Sequence, residues 1–205
     1  MASSAQAKQF IEIIAPIIQE EAKKRGYLVC SPIIAQACIE SGFNTSLLSK
    51  KFFNFFGMKC GSSWKGKSVN MKTKEEYSVG TLTTIRDNFR AYDSIEEGVC
   101  GYFDFISTKR YANLKTASTP EEYLTRIKND GYATSSRYIQ TNMDCIMKYS
   151  LDKWDWNTNA EKSLEEIAKE VIDGKWGVGA ARKQMLRAAG YNPSMVQAKV
   201  NEMLK

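Results

Sequence analysis

Hydrophobic residues recur at helical spacing in several separate stretches of the chain. Over residues 4–25 they fall on one side of a helix, where Pro16 predicts a kink or the start of a second helix because proline lacks a backbone donor. The same spacing predicts further helices at about residues 94–108, 120–130 and 137–150. Most of the chain is therefore expected to be helical.

The pattern changes between Trp64 and Phe89. Glycine, serine, threonine, valine and lysine alternate there, and Gly66 and Gly80 interrupt the run. This composition predicts two or three short antiparallel strands joined by turns. A small sheet inserted among helices makes the expected fold class α+β.

The segment SPIIAQACIESG at residues 31–42 predicts a helix with Ser31 as its N-cap and Gly42 at its end. Its apolar face consists of Ile33, Ile34, Ala37 and Cys38. Glu40 borders this face in the last turn, where burial and the helix dipole both raise the pKa of a carboxyl group. A carboxyl that stays protonated can act as a general acid. On spacing alone, an ordinary Glu at the rim of the helix is the alternative.

The apolar periodicity is lost over residues 151–163, which predicts a domain boundary. Three short amphipathic helices follow, and the first has a capping-box pattern that starts at Ser163. We expect a first domain at residues 1–155, a linker at 156–162 and a small three-helix bundle at 163–205.

Composition and charge exclude several classes of protein. The 205 residues are 43% hydrophobic and 25% charged, which is typical of a soluble globular protein, and no apolar run is long enough to span a membrane. The N-terminal residues lack the pattern of a conventional secretory signal, so we expect synthesis in the cytoplasm. The formal net charge of +6 favours an anionic surface such as a cell wall or nucleic acid, without choosing between them. The charges are dispersed without a basic stripe, which argues against nucleic acid.

The side chains available for catalysis are limited, because the chain has no histidine. This excludes a Ser-His-Asp triad, a Cys-His pair and any zinc site with a histidine ligand. The five cysteines are odd in number and widely spaced without a CxxC pair, so we expect reduced and mostly buried thiols. Acid–base chemistry near neutral pH must come from carboxylates, tyrosines or lysines.

A series of motifs in the first domain resembles a known family. The motifs, in order, are IAQACIESGFNTS, NFFGMKC, the Trp64–Gly66 pair, KEEYSVG, FRAYDS, GYF and GYATSSRY. Over roughly residues 8–155 they resemble the bacterial endo-β-N-acetylglucosaminidases of glycoside hydrolase family 73. The resemblance implies a lysozyme-like α+β fold and cleavage of the β-1,4 bond after N-acetylglucosamine in peptidoglycan, with no metal or cofactor.

The resemblance also implies which residues form the site. The catalytic glutamate of the family falls on Glu40. A second acidic residue on the hairpin falls on Glu76, with Glu75 as the alternative, because adjacent strand residues point to opposite faces. The sugar-binding loop of the family implies that Tyr132 and Tyr138 line the cleft, and core packing is the alternative for Tyr138.

The NFFGMKC and FRAYDS motifs add further assignments. Asn54 matches the second asparagine of a pair in the family, which implies substrate binding. Phe53 replaces the first asparagine of that pair, and this departure leaves the role of Asn54 open. Phe89, Arg90 and Tyr92 are assigned to structure rather than chemistry.

The C-terminal segment resembles the cell-wall-binding repeat of some phage lysozymes, with DGKWGVG-x-x-R and AAGY as its signatures. The residues that the resemblance implies for contact with glycan or muropeptide are Asp173, Lys175, Trp176 and Arg182. For Trp176 the alternative is that the indole fills the small core of the repeat. A wall hydrolase with such a repeat resembles a phage endolysin, made in the host cytoplasm and released to the wall by a pore-forming partner. We expect a monomer that does not insert stably into the membrane.

Alternatives to this function remain open from the residues. A muramidase or a lytic transglycosylase also carries an acid glutamate on a helix. A non-catalytic wall-binding protein retains Glu40 without turnover, and a nucleic-acid-binding protein rests only on the net charge. For hydrolysis, Glu76 either activates water with inversion, or positions the 2-acetamido group of the substrate with retention.

Overall fold

The computed structural model describes residues 2–78, 81–155 and 162–204, and within these all side chains except those of 74–78, 81–83 and 188. The α-helices are α1 (Ser4–Lys24), α2 (Ser31–Glu40), α3 (Leu47–Phe52), α4 (Ile95–Ile106), α5 (Pro120–Asn129), α6 (Tyr138–Tyr149), α7 (Leu164–Ile172), α8 (Gly179–Ala188) and α9 (Pro193–Met203). The strands are β1 (Ser68–Ser78) and β2 (Thr81–Arg90), and 3-10 helices lie at Lys109–Thr116 and Leu151–Trp154. The predicted α+β class, mostly helical with a small hairpin, is confirmed.

The predicted helices differ from the structure mainly at Pro16. Helices α4, α5 and α6 lie where the apolar spacing predicts them, but α1 continues through Pro16 as one helix. The predicted start of a second helix at this residue is therefore wrong. Ile14, Ala15 and Ile18 around the proline are fully buried. Their packing offsets the one hydrogen bond that the proline ring removes.

Strands β1 and β2 form one antiparallel hairpin. The pairing runs from Ser68 opposite Arg90 to Ser78 opposite Thr81, and the register shifts between Glu76 and Ser78. The two strands are 11 and 10 residues long, which is longer than the short strands that the composition predicts. Cross-strand pairing extends the hairpin further than the alternation of single residues indicates.

The chain forms two compact units, the first of residues 2–21 and 36–108. Its core contains Phe10 against Phe55 at a ring distance of 5.7 Å and Phe56 stacked on Tyr102 at 3.8 Å. The Tyr102 hydroxyl donates to Gln36 Oε1 at 2.8 Å, so these two buried polar side chains are paired with each other. This unit holds Glu40 and the hairpin.

The second compact unit consists of residues 22–35 and the described part of 109–204. Within it, α7, α8 and α9 form a small bundle around the buried side chains of Ile167, Ala168, Val171, Leu186, Val196 and Val200. The capping box at Ser163 and Glu166 is present, as predicted. Most of the predicted linker, residues 156–162, lies outside the described residues, and the predicted domain boundaries stay a prediction.

Candidate active site

Glu40 is the last residue of α2 and follows a run of buried residues. Its own surface is exposed to solvent. A Cβ atom added to Gly57 would lie 3.8 Å from Glu40 Oε2, so the glycine of the NFFGMKC motif sits beside this carboxyl group. Gly57 has a φ of 64°, a left-handed conformation that disfavours any other residue here.

Burial raises the pKa of the Glu40 carboxyl above its ordinary value, because surrounding protein removes part of the water that stabilises the charged form. The partial negative charge at the C-terminal end of α2 acts in the same direction. A carboxyl group of this kind is reachable from solvent and poorly solvated at the same time. This combination is what a proton donor to a bound substrate requires.

The backbone reverses directly after Glu40 in a strained turn. Gly42, Phe43 and Asn44 all have positive φ, between 55° and 60°. Ser41 is buried, and its hydroxyl donates to the Ala37 carbonyl at 2.6 Å while it accepts the Asn44 N–H at 2.9 Å. Two consecutive non-glycine residues in this region cost about 1 kcal/mol each or more, so the surrounding hydrogen bonds must hold them. Such strain is often found at functional sites.

Asn54 holds the loop that carries Gly57. The residue is only 2% exposed, and its Nδ2 donates to the Met58 carbonyl at 2.8 Å and the Arg90 carbonyl at 2.9 Å. Its Oδ1 accepts the Met58 N–H at 2.9 Å. Both amide donors are therefore used within the protein. This geometry favours a role in positioning Gly57 beside Glu40 over direct contact with substrate.

Phe53, which stands where the family has an asparagine, adopts a left-handed conformation as the C-cap of α3. Asparagine tolerates this conformation better than phenylalanine does, so the backbone at this position itself favours asparagine. A Cβ on Gly98 would lie 2.0 Å from the Phe53 carbonyl oxygen, so the adjoining helix α4 needs glycine at this point. The departure at Phe53 thus concerns chain geometry.

The predicted second carboxylate lies on β1. The backbone of Glu75 pairs with Thr83 and that of Glu76 with Leu82. The side chains of both glutamates fall outside the described part of the structure. The assignment of Glu76, with Glu75 as the alternative, stays a prediction.

The base of the hairpin is fastened by aromatic and charged side chains. The Arg90 guanidinium lies 4.6 Å from the Trp64 ring centroid and 5.6 Å from that of Phe105, and its Nε donates to the Lys59 carbonyl at 3.2 Å. Lys67 forms an ion pair with Asp93. These contacts agree with the structural assignment of the FRAYDS motif.

Tyr132 and Tyr138 lie together in the second compact unit. Their ring centroids are 6.2 Å apart with planes inclined by 50°. Tyr132 is half-buried, whereas Tyr138 is 7% exposed. The geometry therefore leaves Tyr132 more surface for a ligand and favours packing for Tyr138.

Of the four predicted wall-binding residues, three lie in the connection between α7 and α8, and Arg182 lies in the first turn of α8. Trp176 is half-buried, donates from Nε1 to Glu170 Oε2 at 3.0 Å and meets Tyr191 edge-on at 5.7 Å. Arg182 Nε donates to the Gly177 carbonyl at 2.8 Å, and the exposed Asp173 and Lys175 form a 3.7 Å ion pair. Trp176 thus packs on the core of the repeat and keeps part of its surface in solvent.

Two contributors were missed by sequence reasoning. Gly57 lies within a quoted motif, but only its distance to the Glu40 carboxyl shows its importance. Asp155 lies where the apolar periodicity ends, and no local pattern indicates that its carboxylate contacts Cys30 and Ser31. Among the described residues, no group of three or more cysteine or carboxylate side chains is arranged to hold a metal ion. None of the described helices has the length and apolar character to cross a membrane.

A glutamate with a raised pKa at the end of a buried helix, in a mainly helical domain with one hairpin, is consistent with the class of lysozyme-like glycoside hydrolases. Residues 15–151 match the glucosaminidase family, described as mannosyl-glycoprotein endo-beta-N-acetylglucosaminidase. The chain belongs to this family. Residues 165–204 match the CW_7 repeat.

Individual relatives agree with these matches. The chain is 33% identical to the peptidoglycan hydrolase FlgJ of Pseudomonas aeruginosa over 142 residues, which cover 66% of this chain and 35% of that protein. It thus spans little more than a third of the length of this relative. The catalytic domain of the Listeria monocytogenes autolysin Auto is similar in structure, with a TM-score of 0.64 and 27% identity over 76% of this chain and 90% of that chain. The lysozyme of Streptococcus phage Cp-7 is 54% identical over 47 residues, 23% of this chain and 14% of that protein.

Proposed function

We propose that this protein hydrolyses the β-1,4 bond after N-acetylglucosamine in bacterial peptidoglycan, with Glu40 as the general acid. The observation that carries the proposal is the carboxyl of Glu40, which is open to solvent, raised in pKa by burial and placed beside Gly57. Membership of the glucosaminidase family supports the class of substrate.

In the proposed reaction, protonated Glu40 donates its proton to the glycosidic oxygen as the bond from that oxygen to the anomeric carbon breaks. The sugar develops oxocarbenium character, and water finally adds to the anomeric carbon. The strained turn at Gly42–Asn44 and the loop held by Asn54 keep the carboxyl in place from either side. Because these groups are fixed before substrate binds, little reorganisation is needed at the moment of proton transfer.

The nucleophilic half of the reaction has two forms in this proposal. In the first, Glu76 removes a proton from the attacking water and the configuration inverts. In the second, the 2-acetamido group of the substrate attacks and Glu76 positions it, so the configuration is retained. Glu75 takes the place of Glu76 if its side chain faces the substrate.

Substrate binding in this proposal involves an aromatic residue and the repeat. Tyr132 contributes an aromatic surface for a sugar ring, with Tyr138 packed beneath it. Asp173, Lys175, Trp176 and Arg182 contact glycan or muropeptide and hold the protein on the wall. The match to the CW_7 repeat supports this second part.

The products of digestion test the proposed bond specificity. Purified peptidoglycan is digested, reduced with borohydride and analysed by mass spectrometry, with Glu40→Gln as the inactive variant and Glu12→Gln, an exposed glutamate on α1, as the matched control. We expect reduced N-acetylglucosamine ends from the wild type and from Glu12→Gln, and almost none from Glu40→Gln.

Other products identify the rival reactions. Reduced muramic acid ends indicate a muramidase, and anhydro-muramic ends indicate a lytic transglycosylase. If walls bind but no new ends form, the protein is a non-catalytic wall-binding protein. Each of these results overturns the proposed bond specificity.

We also propose that the protein is a monomeric phage endolysin, made in the host cytoplasm and active on the wall after release. Similarity to a phage lysozyme supports this origin. Expression in the cytoplasm alone should leave cells intact, whereas co-expression with a pore-forming membrane protein should lyse them. Sedimentation at a mass near 23.2 kDa tests the monomer.

A further inference from the structure

Asp155 binds the start of the helix that carries Glu40. Its Oδ1 accepts the backbone N–H groups of Cys30 at 2.6 Å and Ser31 at 2.7 Å, and its Oδ2 accepts the Ser31 hydroxyl at 2.6 Å. The Cys30 thiol donates to the Trp154 carbonyl at 3.1 Å. We name this set of residues, Cys30, Ser31, Trp154 and Asp155, the Asp155 clasp.

Helix α2 depends on the clasp for its N-terminal cap. The first N–H groups of a helix have no partner within it, and α2 has no acidic residue in its first turn. The sequence predicts Ser31 as the N-cap, but its hydroxyl donates to Asp155 instead of capping the helix. Helices α3, α4, α5, α7 and α9 are each capped by a neighbouring serine, threonine or asparagine. In α2 a carboxylate 124 residues away in the chain replaces the local cap.

Helix α2 connects the Asp155 clasp at its first residue to Glu40 at its last residue. It is continuous from Ser31 to Glu40, and Ser31, Ile33, Ile34, Ala35, Ala37 and Cys38 are fully buried. The rise of 1.5 Å per residue separates its ends by about 13 Å. Close-packed interiors are hardly compressible and transmit strain. A shift of the first turn of α2 is therefore expected to displace the last turn as well.

Burial and hydrogen bonding act in opposite directions on the pKa of the Asp155 carboxyl group. Burial raises the pKa of Asp155 to about 6, although the hydrogen bonds from Ser31 and Cys30 act in the opposite direction. Burial and the nearby Asp155 raise the pKa of the Cys30 thiol. Of the adjoining charged residues, Lys153 is exposed, and burial raises the pKa of Asp152. The partial positive charge at the start of α2 stabilises the ionised form of Asp155.

We propose that Asp155 is a positioning residue for Glu40. The clasp fixes the first turn of α2 and thereby sets where the carboxyl group at the other end meets the glycosidic oxygen. Asp155 itself does not touch the substrate. This inference rests on the proposed function of Glu40 as the general acid.

Variants of the full chain test the proposal. Asp155→Ala removes the cap, whereas Asp155→Asn keeps an oxygen for the two N–H groups and a donor for the Ser31 hydroxyl. Asp144→Ala removes an exposed carboxylate on α6 that accepts one surface hydrogen bond from Gln140, and serves as the matched control. The kcat and KM for release of reducing ends from peptidoglycan are measured well below the melting temperature of each variant.

We expect Asp155→Ala to lower kcat about 10- to 100-fold with KM changed less than about twofold, because a misplaced acid affects mainly the transition state. Asp155→Asn should keep kcat within about threefold of the wild type, and Asp144→Ala should match the wild type. A role in stability alone would lower the melting temperature of Asp155→Ala without lowering kcat in the folded protein.

A second measurement does not depend on turnover. Carbon NMR titration of the Glu40 carboxyl should show its pKa moving towards the ordinary value in Asp155→Ala and staying raised in Asp155→Asn. If Asp155→Ala does not fold, Ser31→Ala removes only the hydroxyl bond and should lower kcat about threefold. A wild-type kcat and an unchanged Glu40 pKa in the folded variants overturn the positioning role. An inactive wild-type protein overturns the proposed function instead, and the titration then decides on the clasp.

Discussion

Glu40 combines two properties that oppose each other in most carboxyl groups. Its surface is open to solvent, yet the surrounding protein raises its pKa. The Gly57 position explains how this is achieved, because a larger side chain there would contact the carboxyl oxygen and cover it. At the residue scale, then, the candidate site consists of a glutamate, the turn that follows it and a glycine beside its carboxyl group.

If Glu40 is the general acid of the proposed reaction, its raised pKa sets the pH dependence of hydrolysis. A general acid works only when protonated, so kcat/KM should stay high below this pKa and fall as the pH rises through it. In Glu40→Gln the rate should drop about 100- to 10,000-fold at pH values below the Glu40 pKa, and the alkaline fall should disappear, whereas Glu12→Gln should keep the wild-type profile. A pH series of initial rates checks this. If Glu40→Gln keeps a substantial rate that still falls at alkaline pH, a group other than Glu40 is the general acid.

The side-chain amide of Asn54 should contribute to the stability of the fold, because its hydrogen bonds to Met58 and Arg90 are made within the protein. Asn54→Ala removes the partner of the buried Met58 N–H and one donor to each of the Met58 and Arg90 carbonyls, which should lower the free energy of unfolding by about 1 to 3 kcal/mol. Asn113→Ala, on the surface, should change it by less than about 0.5 kcal/mol. Urea unfolding of both variants measures the difference. Equal values would show that the bonds around Asn54 contribute little.

At the scale of elements, α2 is anchored differently at its two ends. Asp155 holds its start, and the turn at Gly42–Asn44 holds its end. Both ends therefore depend on specific hydrogen bonds, while the middle is held mainly by apolar packing, with the buried Gln36 side chain accepting the Tyr102 hydroxyl. This arrangement concentrates the sensitivity of the helix at a few polar groups.

Stability should depend on pH through Asp155. The folded-state pKa of about 6 lies above the ordinary value of 3.8, so the folded state holds this proton more tightly than the unfolded state does. The contribution to stability is therefore fully present below about pH 4 and is lost as the pH rises through about 6. Relative to Asp155→Asn, the wild type should lose unfolding free energy between these pH values. Urea unfolding at several pH values checks this, and a constant difference between the two proteins would contradict it.

The repeat has its own capping dependence. In α7, Ser163 and Glu166 satisfy each other's backbone N–H groups. Ser163→Ala should destabilise the repeat by about 1 kcal/mol, whereas Ser194→Ala, an exposed serine on α9, should have little effect. Amide hydrogen exchange within α7 checks this. Unchanged protection in Ser163→Ala would mean that packing alone holds the first turn.

At the scale of the whole molecule, the positive net charge and the repeat should make separate contributions to the proposed wall binding. The charge of +6 should attract the protein to an anionic wall in a way that salt screens. Specific contacts by the repeat should persist at high salt, because they depend on placed donors and an aromatic surface. Arg182 and Lys183, neighbours on α8, separate the two contributions.

Arg182→Gln should weaken binding to purified walls about fivefold or more at both low and high salt, because a placed guanidinium is lost. Lys183→Gln removes an equal charge from an exposed position and should weaken binding only at low salt. Co-sedimentation with walls at about 0.05 M and about 0.5 M sodium chloride measures both. Equal losses of wall binding in the two variants would show that Arg182 contributes only through its charge.

Much of the fold could be read from local patterns. The spacing of apolar residues predicts α4, α5 and α6, and the loss of that spacing after residue 151 precedes three short helices. The same spacing places Glu40 at the border of an apolar face, where only the family resemblance favours an acid over an ordinary glutamate at the rim. These features could be predicted because helix formation and amphipathic burial act over a few neighbouring residues.

The tertiary structure alone decided how the polar groups are paired. Asp155 reaches Cys30 and Ser31 across 124 or more residues, and Asn54 joins its own loop to the end of β2. The continuation of α1 through Pro16 likewise depends on what packs around it. A hydrogen bond between distant segments depends on how the whole chain folds. The spacing of residues within one segment does not indicate which other segment it will meet. The sequence by itself therefore determined the helix that bears Glu40 and the place of this glutamate at its end, and the fold determined what holds that helix in place.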